Sequence, residues 1–156
     1  MSINPADLAT HIIKPTLDYL GVQSGAAEKL LLGTVAQASN FDLFSEQHHG
    51  IGIFQITSKG HRQAWDNYLA FRPDLASKVR GLASQHRFLR EPDQELKTNL
   101  AYSTAIAWII YLQSDLQLPE VDDVDGLSQF WSAHFCHREQ RQAEDFARWI
   151  SEHVAA

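Results

Sequence analysis

Apolar residues recur at spacings of three and four along most of this chain, and the most marked break in that rhythm lies between Asn40 and Ile56. Such a chain buries its apolar side chains as amphipathic helices packed on one another. Asn4-Pro5 offers a cap and a first-turn proline ahead of Leu8, Ile12 and Ile13. Pro15 interrupts the pattern and predicts a helix broken or kinked near Lys14, resuming through Leu17 and Leu20 and stopping at Gly21. Ser24 then caps a second helix, in which Ala27, Leu30, Leu31, Thr34, Val35 and Ala38 repeat at helical spacing. Leu32 and Ala36 leave its other side only weakly polar, so it is expected to be deeply buried.

Across the break, Gly50-Ile51-Gly52-Ile53-Phe54-Gln55-Ile56 carries alternating glycine and branched or aromatic residues, the one place that predicts a short strand or hairpin. Thr57 or Ser58 caps a helix through Trp65 and Tyr68, and Pro73 opens another. Pro92-Asp93 precedes the helix expected to be longest and central, with Leu96, Leu100, Ser103, Ala107, Ile110 and Tyr111 on one face. Pro119 and an acidic loop lead to a helix holding Leu127, Phe130, Trp131 and His134. A last helix is expected from about Gln140 to His153, with Phe146, Trp149 and Ile150 inward. The expectation is a mainly α, single domain over residues 1–156, with about six to eight helices and at most one small β-hairpin near residues 42–57.

Composition narrows the function classes. Apolar residues make up 44% and charged residues 21% of 156, which excludes a disordered chain and leaves enough length for a real core. With 13 basic and 19 acidic residues, a net charge of −6 and no Lys/Arg run, the positive face that nucleic acid requires is lacking. Asp122, Asp123 and Asp125 read as a solvated loop. Cys136 is the single cysteine, so an intrachain disulfide is excluded. No basic, apolar leader opens the sequence, and Ala105 to Leu112 is too short to span a bilayer. Synthesis in the cytoplasm without a signal peptide or membrane insertion is expected, with virion association as a route to a cell wall.

The segment Leu31-Leu32-Gly33-Thr34-Val35-Ala36-Gln37-Ala38-Ser39-Asn40-Phe41, followed by Gly50 to Ile56, resembles the two leading motifs of the soluble lytic transglycosylase and goose-type lysozyme superfamily. Ile13-Lys14-Pro15-Thr16-Leu17 through Gly21, and Asn99-Leu100-Ala101-Tyr102, resemble phage-encoded members of that group. The resemblance implies a lysozyme-like fold that recognises the N-acetylhexosamine glycan strand of peptidoglycan, with hydrolase or transglycosylase chemistry in the parent enzyme and no cofactor. Cleaving a glycosidic bond needs a carboxylic acid of raised pKa, and the end of an apolar helix facing a cleft supplies the desolvation. Ser39 would orient such a group or the sugar. Gly52 would let an acetamido group approach backbone amides, with Gln55 as a side-chain partner.

At the position of the family's glutamate this chain has Ala38, and a methyl group donates no proton. The superfamily's C-terminal Tyr-Asn pair is matched here by Phe135-Cys136, so the supporting hydroxyl and amide are missing too. The chain is therefore expected to bind without cutting, whether the acid was lost naturally or by engineering. Glu46, in the loop between helix and strand, is the alternative carboxylate, against its reading as a solvated loop residue; Asp42 reads as a turn former. Of the 8 histidines, His48-His49, His134, His137 and His61 lack paired-cysteine or HExxH spacing, and no metal is expected. Cys136 reads as a buried thiol. Trp65, Tyr68 and Tyr102 are the aromatic candidates to line a groove, with Phe135 beside them. The rival class is an interaction protein that keeps the fold and binds a host or virion protein.

Overall fold

Residues 1–44, 50–135 and 142–154, except the side chain of Arg87, are described by a computed structural model of the chain. Asn4 caps the first helix, accepting from the amides of Ala6 and Asp7, and Pro5 occupies its first turn. That helix, α1 (Pro5–Leu8), does not break at Pro15. It runs through a π-helical turn, Ala9–Ile13, into α2 (Lys14–Tyr19), with the amide of Lys14 reaching back five residues to the carbonyl of Ala9. A proline inside an α-helix clashes with the carbonyl four residues earlier and lacks a ladder donor. Here Pro15 stands at the start of α2, immediately after the wider turn, so the interruption expected near Lys14 takes the form of a local change of helical pitch, not a break in the chain's helical course.

Ser24 caps α3 (Gly25–Ser39) through the amide of Ala27, and this 15-residue helix is the longest among the described residues. The helix expected to be longest is divided. After α4 (Ser58–Asn67), α5 (Pro73–Leu82) and α6 (Gln85–Arg90), Pro92 opens α7 (Pro92–Thr98). The chain then turns at Asn99, whose side chain accepts from the amide of Tyr102 and caps α8 (Leu100–Leu112). Asparagine favours an N-cap over a helix interior, which the apolar spacing alone does not register. Two further helices follow among the described residues, α9 (Val124–His134) and α10 (Ala143–His153). No strand forms among the described residues. Ile51 and Ile56 exchange backbone bonds of 2.9 and 3.2 Å across a tight turn, in place of a hairpin of any length.

Helix α8 is buried from Tyr102 to Ile109 and packs against α2, α3, α4, α5 and α7. Helices α3, α9 and α10 form a second packed group, which α3 joins to α8. Its seam is Gly33 under Phe146, which itself stacks on Trp131 with ring centroids 5.5 Å apart. A Cβ at position 33 would lie 2.4 Å from two ring carbons of Phe146. No helix among the described residues is long and apolar enough to cross a membrane.

Alanine normally stabilises a helix interior relative to glycine. Gly33→Ala should reverse that sign, destabilising the protein by about 1–3 kcal/mol as Phe146 is displaced. Urea denaturation measures it, and a neutral or stabilising substitution would show that α10 is not seated on α3 in this way.

Candidate functional site

The end of α3 is built from short polar contacts and unusual backbone. Ala38, half-buried, is followed by Ser39, whose hydroxyl donates to the carbonyl of Ile53 at 2.8 Å and ties the helix end to the Ile51–Ile56 turn. Asn40 and Phe41 then take left-handed conformations in succession, with φ of 50° and 65°. A buried phenylalanine rarely adopts that region, and here it is held by flanking bonds. The amide of Ile3 donates to the carbonyl of Phe41, the amide of Leu43 to that of Met1, and the Phe41 ring packs on Trp149 at 5.3 Å. Asp42 forms the expected turn, accepting from the amide of Phe44. Within the facing turn Gln55 is also left-handed, with φ of 51°, and its side-chain amide donates to the carbonyl of Gly52 at 2.7 Å.

The glycines of this turn serve its closure. A Cβ on Gly50 would fall 2.0 Å from the carbonyl oxygen of Gln55, and one on Gly52, whose φ is 75°, would fall 2.0 Å from that of Leu96. The space that glycine leaves, expected to admit a sugar's acetamido group, is taken by the protein's own carbonyls. The turn is thereby pressed between α3 and α7.

Beyond it lies a buried polar chain that joins α4, α7 and α8. Trp65 Nε1 donates to the Tyr102 hydroxyl oxygen at 2.9 Å, and His61 Nε2 lies 2.7 Å from that same oxygen. His61 Nδ1 lies 2.8 Å from Asp93 Oδ1, while the Ser58 hydroxyl donates to Asp93 Oδ2 at 2.6 Å. An indole N–H can only donate, so one assignment satisfies every atom: Trp65 donates to Tyr102, Tyr102 to His61 and His61 to Asp93. Burial raises the Tyr102 phenol well above its usual pKa, the nearby Glu95 and Asp93 charges add to that, and the Trp65 bond and Arg80 only partly oppose it. Tyr102 is thus held as a neutral phenol and is no activated nucleophile. Burial raises the Asp93 carboxyl, but the hydrogen bonds from Ser58 and His61, with the Arg62 charge nearby, outweigh it and hold the group below its usual value.

A second carboxylate, Glu95, is buried, at 1% exposed. Its Oε1 accepts from both the amide and the hydroxyl of Ser84, and its Oε2 from Asn99 Nδ2 at 2.9 Å. Asn99 Nδ2 also donates to the carbonyl of Leu82. These bonds brace the α7–α8 junction against the end of α5.

The residues singled out from the sequence therefore fall into separate places. Ala38, Ser39, Gly52 and Gln55 meet at the α3 end and its facing turn. Trp65 and Tyr102 meet in the buried chain, with Phe88 edge-on to both rings. Tyr68 carries the Arg72 guanidinium over its face at 3.6 Å, so that face is occupied. Phe135 stacks on Tyr111 at 5.2 Å, in the core and not on a groove wall. Glu46, His48, His49, Cys136 and His137 lie outside the described residues. Among the described residues no three His, Cys, Asp or Glu side chains are grouped to hold a metal ion. The sequence signals the His61–Asp93 and Glu95–Ser84–Asn99 groupings only through the four-residue spacings of His61 and Trp65 and of Glu95 and Asn99.

Two outcomes follow from the buried chain. Tyr102→Phe removes the acceptor of the Trp65 N–H and the partner of His61 Nε2, and should cost about 1–3 kcal/mol in a chemical-denaturation measurement. Because the folded-state pKa of Asp93 is depressed, its stabilisation is present at neutral pH and is lost as pH falls through that lowered value. Its side chain is 39% exposed, so screening keeps the effect modest. Asp93→Asn should be less stable than the parent near neutrality, with the difference shrinking on acidification; parallel stability curves would contradict this. No protein-family model matches the chain, and no match was found among curated proteins or solved structures.

Proposed function

We propose that the chain is a lysozyme-like scaffold that holds an N-acetylhexosamine glycan strand of peptidoglycan without cleaving it. The observation that carries this reading is where the backbone strain sits. Of the four non-glycine residues with positive φ among those described, Asn40, Phe41 and Gln55 border the position of the absent acid. Asn40 takes this conformation as the left-handed cap of α3, common for asparagine, but at Phe41 and Gln55 it costs on the order of 1–3 kcal/mol each and persists where the surrounding structure enforces it, most often at ligand sites. The parent geometry is in this reading retained while the proton donor is not. In this reading the two internal hydrogen-bonded carboxylates take no part in the chemistry: Glu95 is engaged by Ser84 and Asn99, and the partly exposed Asp93 by Ser58 and His61.

A second reading, an interaction protein that binds a host or virion protein, is favoured by one observation. The Ser39 hydroxyl and the Gln55 amide, the groups expected to meet a sugar, both bond to carbonyls of the turn.

Co-sedimentation with purified sacculi separates the two, retention supporting the glycan and its absence the protein partner. Neither reading expects muropeptide release from acid to mildly alkaline pH. Ala38→Glu tests how far the site has drifted. A well-placed general acid contributes ~10²–10⁴-fold in rate, but Phe135 is stacked in the core and offers no hydroxyl. The variant should stay inactive and lose about 1–3 kcal/mol of stability for a carboxyl without partners. Full activity with unchanged stability would identify a disabled enzyme instead.

A further inference from the structure

We propose that Glu95 forms the floor of a binding site for a primary ammonium group carried on an apolar stem. The carboxylate borders an open depression of about 560 Å³ walled by Ile12, Thr98, Leu100 and Ala101. It accepts only from neutral donors, and among the described residues no lysine, arginine or histidine pairs with it. Arg80, a charge felt at neighbouring Tyr102, lies over the Phe88 ring at 4.3 Å. A buried carboxylate without a counter-charge is costly, and a cation entering the depression supplies one.

The hydrogen-bond inventory selects the kind of cation. Oε1 already accepts two bonds from Ser84, while Oε2 accepts one, from an Asn99 amide whose other N–H is committed to Leu82. One carboxylate oxygen is thus open to a further donor. A guanidinium prefers both oxygens in a fork, whereas an ammonium binds as a point charge with rotatable donors. The Thr98 hydroxyl, which donates to the carbonyl of Gln94, keeps lone pairs for a second ammonium N–H. Ile12, Leu100 and Ala101 offer apolar surface to the stem. A divalent metal would want several anionic oxygens, and no second carboxylate joins Glu95 among the described residues lining the depression. The site is separate from the α3 end and does not depend on the glycan reading.

Titration of the whole protein with n-butylammonium, followed by amide NMR shifts in ~0.15 M salt to screen the general field of an acidic protein, tests the proposal. Saturable shifts at Thr98, Leu100 and Ala101 are expected, with none from tetramethylammonium, which carries the charge but no N–H. Glu95→Gln should weaken binding by about tenfold or more. Ala101→Phe, which fills the depression and leaves the carboxylate bonds intact, should abolish the shifts while the melting temperature holds. An absent response in the parent protein, an equal response to tetramethylammonium, or a response that survives Ala101→Phe would overturn it.

Discussion

Because α8 is buried from Tyr102 to Ile109, the polar atoms it carries are shut away from water, and apart from Ser103 Oγ and Trp108 Nε1, which have no hydrogen-bond partner among the described residues, they are met inside the protein. That constraint organises much of what surrounds it. Tyr102 is met by Trp65 and His61 from α4, Thr104 turns back to the carbonyl of Leu100, and the Tyr111 hydroxyl lies 2.6 Å from Thr34 on α3. The contacts of Tyr102 and Tyr111 fix the rotation of neighbouring helices more narrowly than apolar packing could, since greasy surfaces slide and hydrogen bonds do not. Asn99 extends the same logic to the N-terminus of α8, where one side chain caps the helix and donates to both Leu82 and Glu95.

The Asp93–His61–Tyr102 chain shows how a grouping common in catalysis can be purely architectural. The order carboxylate, imidazole, hydroxyl is that of a nucleophile-activating triad. Its terminal hydroxyl is fully buried and accepts from Trp65, so it meets no substrate, and desolvation moves its pKa away from the ionised form. The same three groups at a cleft mouth would be an active-site candidate; burial decides between the two roles.

Much of the helical layout was legible in the sequence, because apolar spacing and capping residues act locally: Ser24, Thr57 and Asn4 cap where their types and positions indicate. Two departures came from residues whose effect depends on neighbours. Pro15 was accommodated by a change of helical pitch, and Asn99 divided a continuous apolar pattern because its side chain found an amide to cap. The candidate site was legible at the α3 end, where Ser39 and the glycine-rich turn are indeed brought together. The buried chain was not, since His61 finds Asp93 and Tyr102 at separations of 32 and 41 residues, contacts that local patterning does not encode. Phe135 was misplaced for a related reason: an aromatic at a helix end reads equally well as a groove wall or as core.

The π-helical turn at Ala9–Ile13 has an effect that reaches beyond its own segment. Leu8 and Ile13, five residues apart, are both fully buried, a spacing that would put them on different sides of a regular α-helix. The turn acts as a phase adjuster, absorbing one extra residue so that both face inward. Winding the same residues as a regular α-helix would rotate the preceding turn by about 100° relative to α2. Residues 1–3 would swing with it, and they are the backbone partners that clasp Phe41 and Leu43. The shape of the loop leaving α3 is therefore indexed to the pitch of a helix that lies a full element upstream.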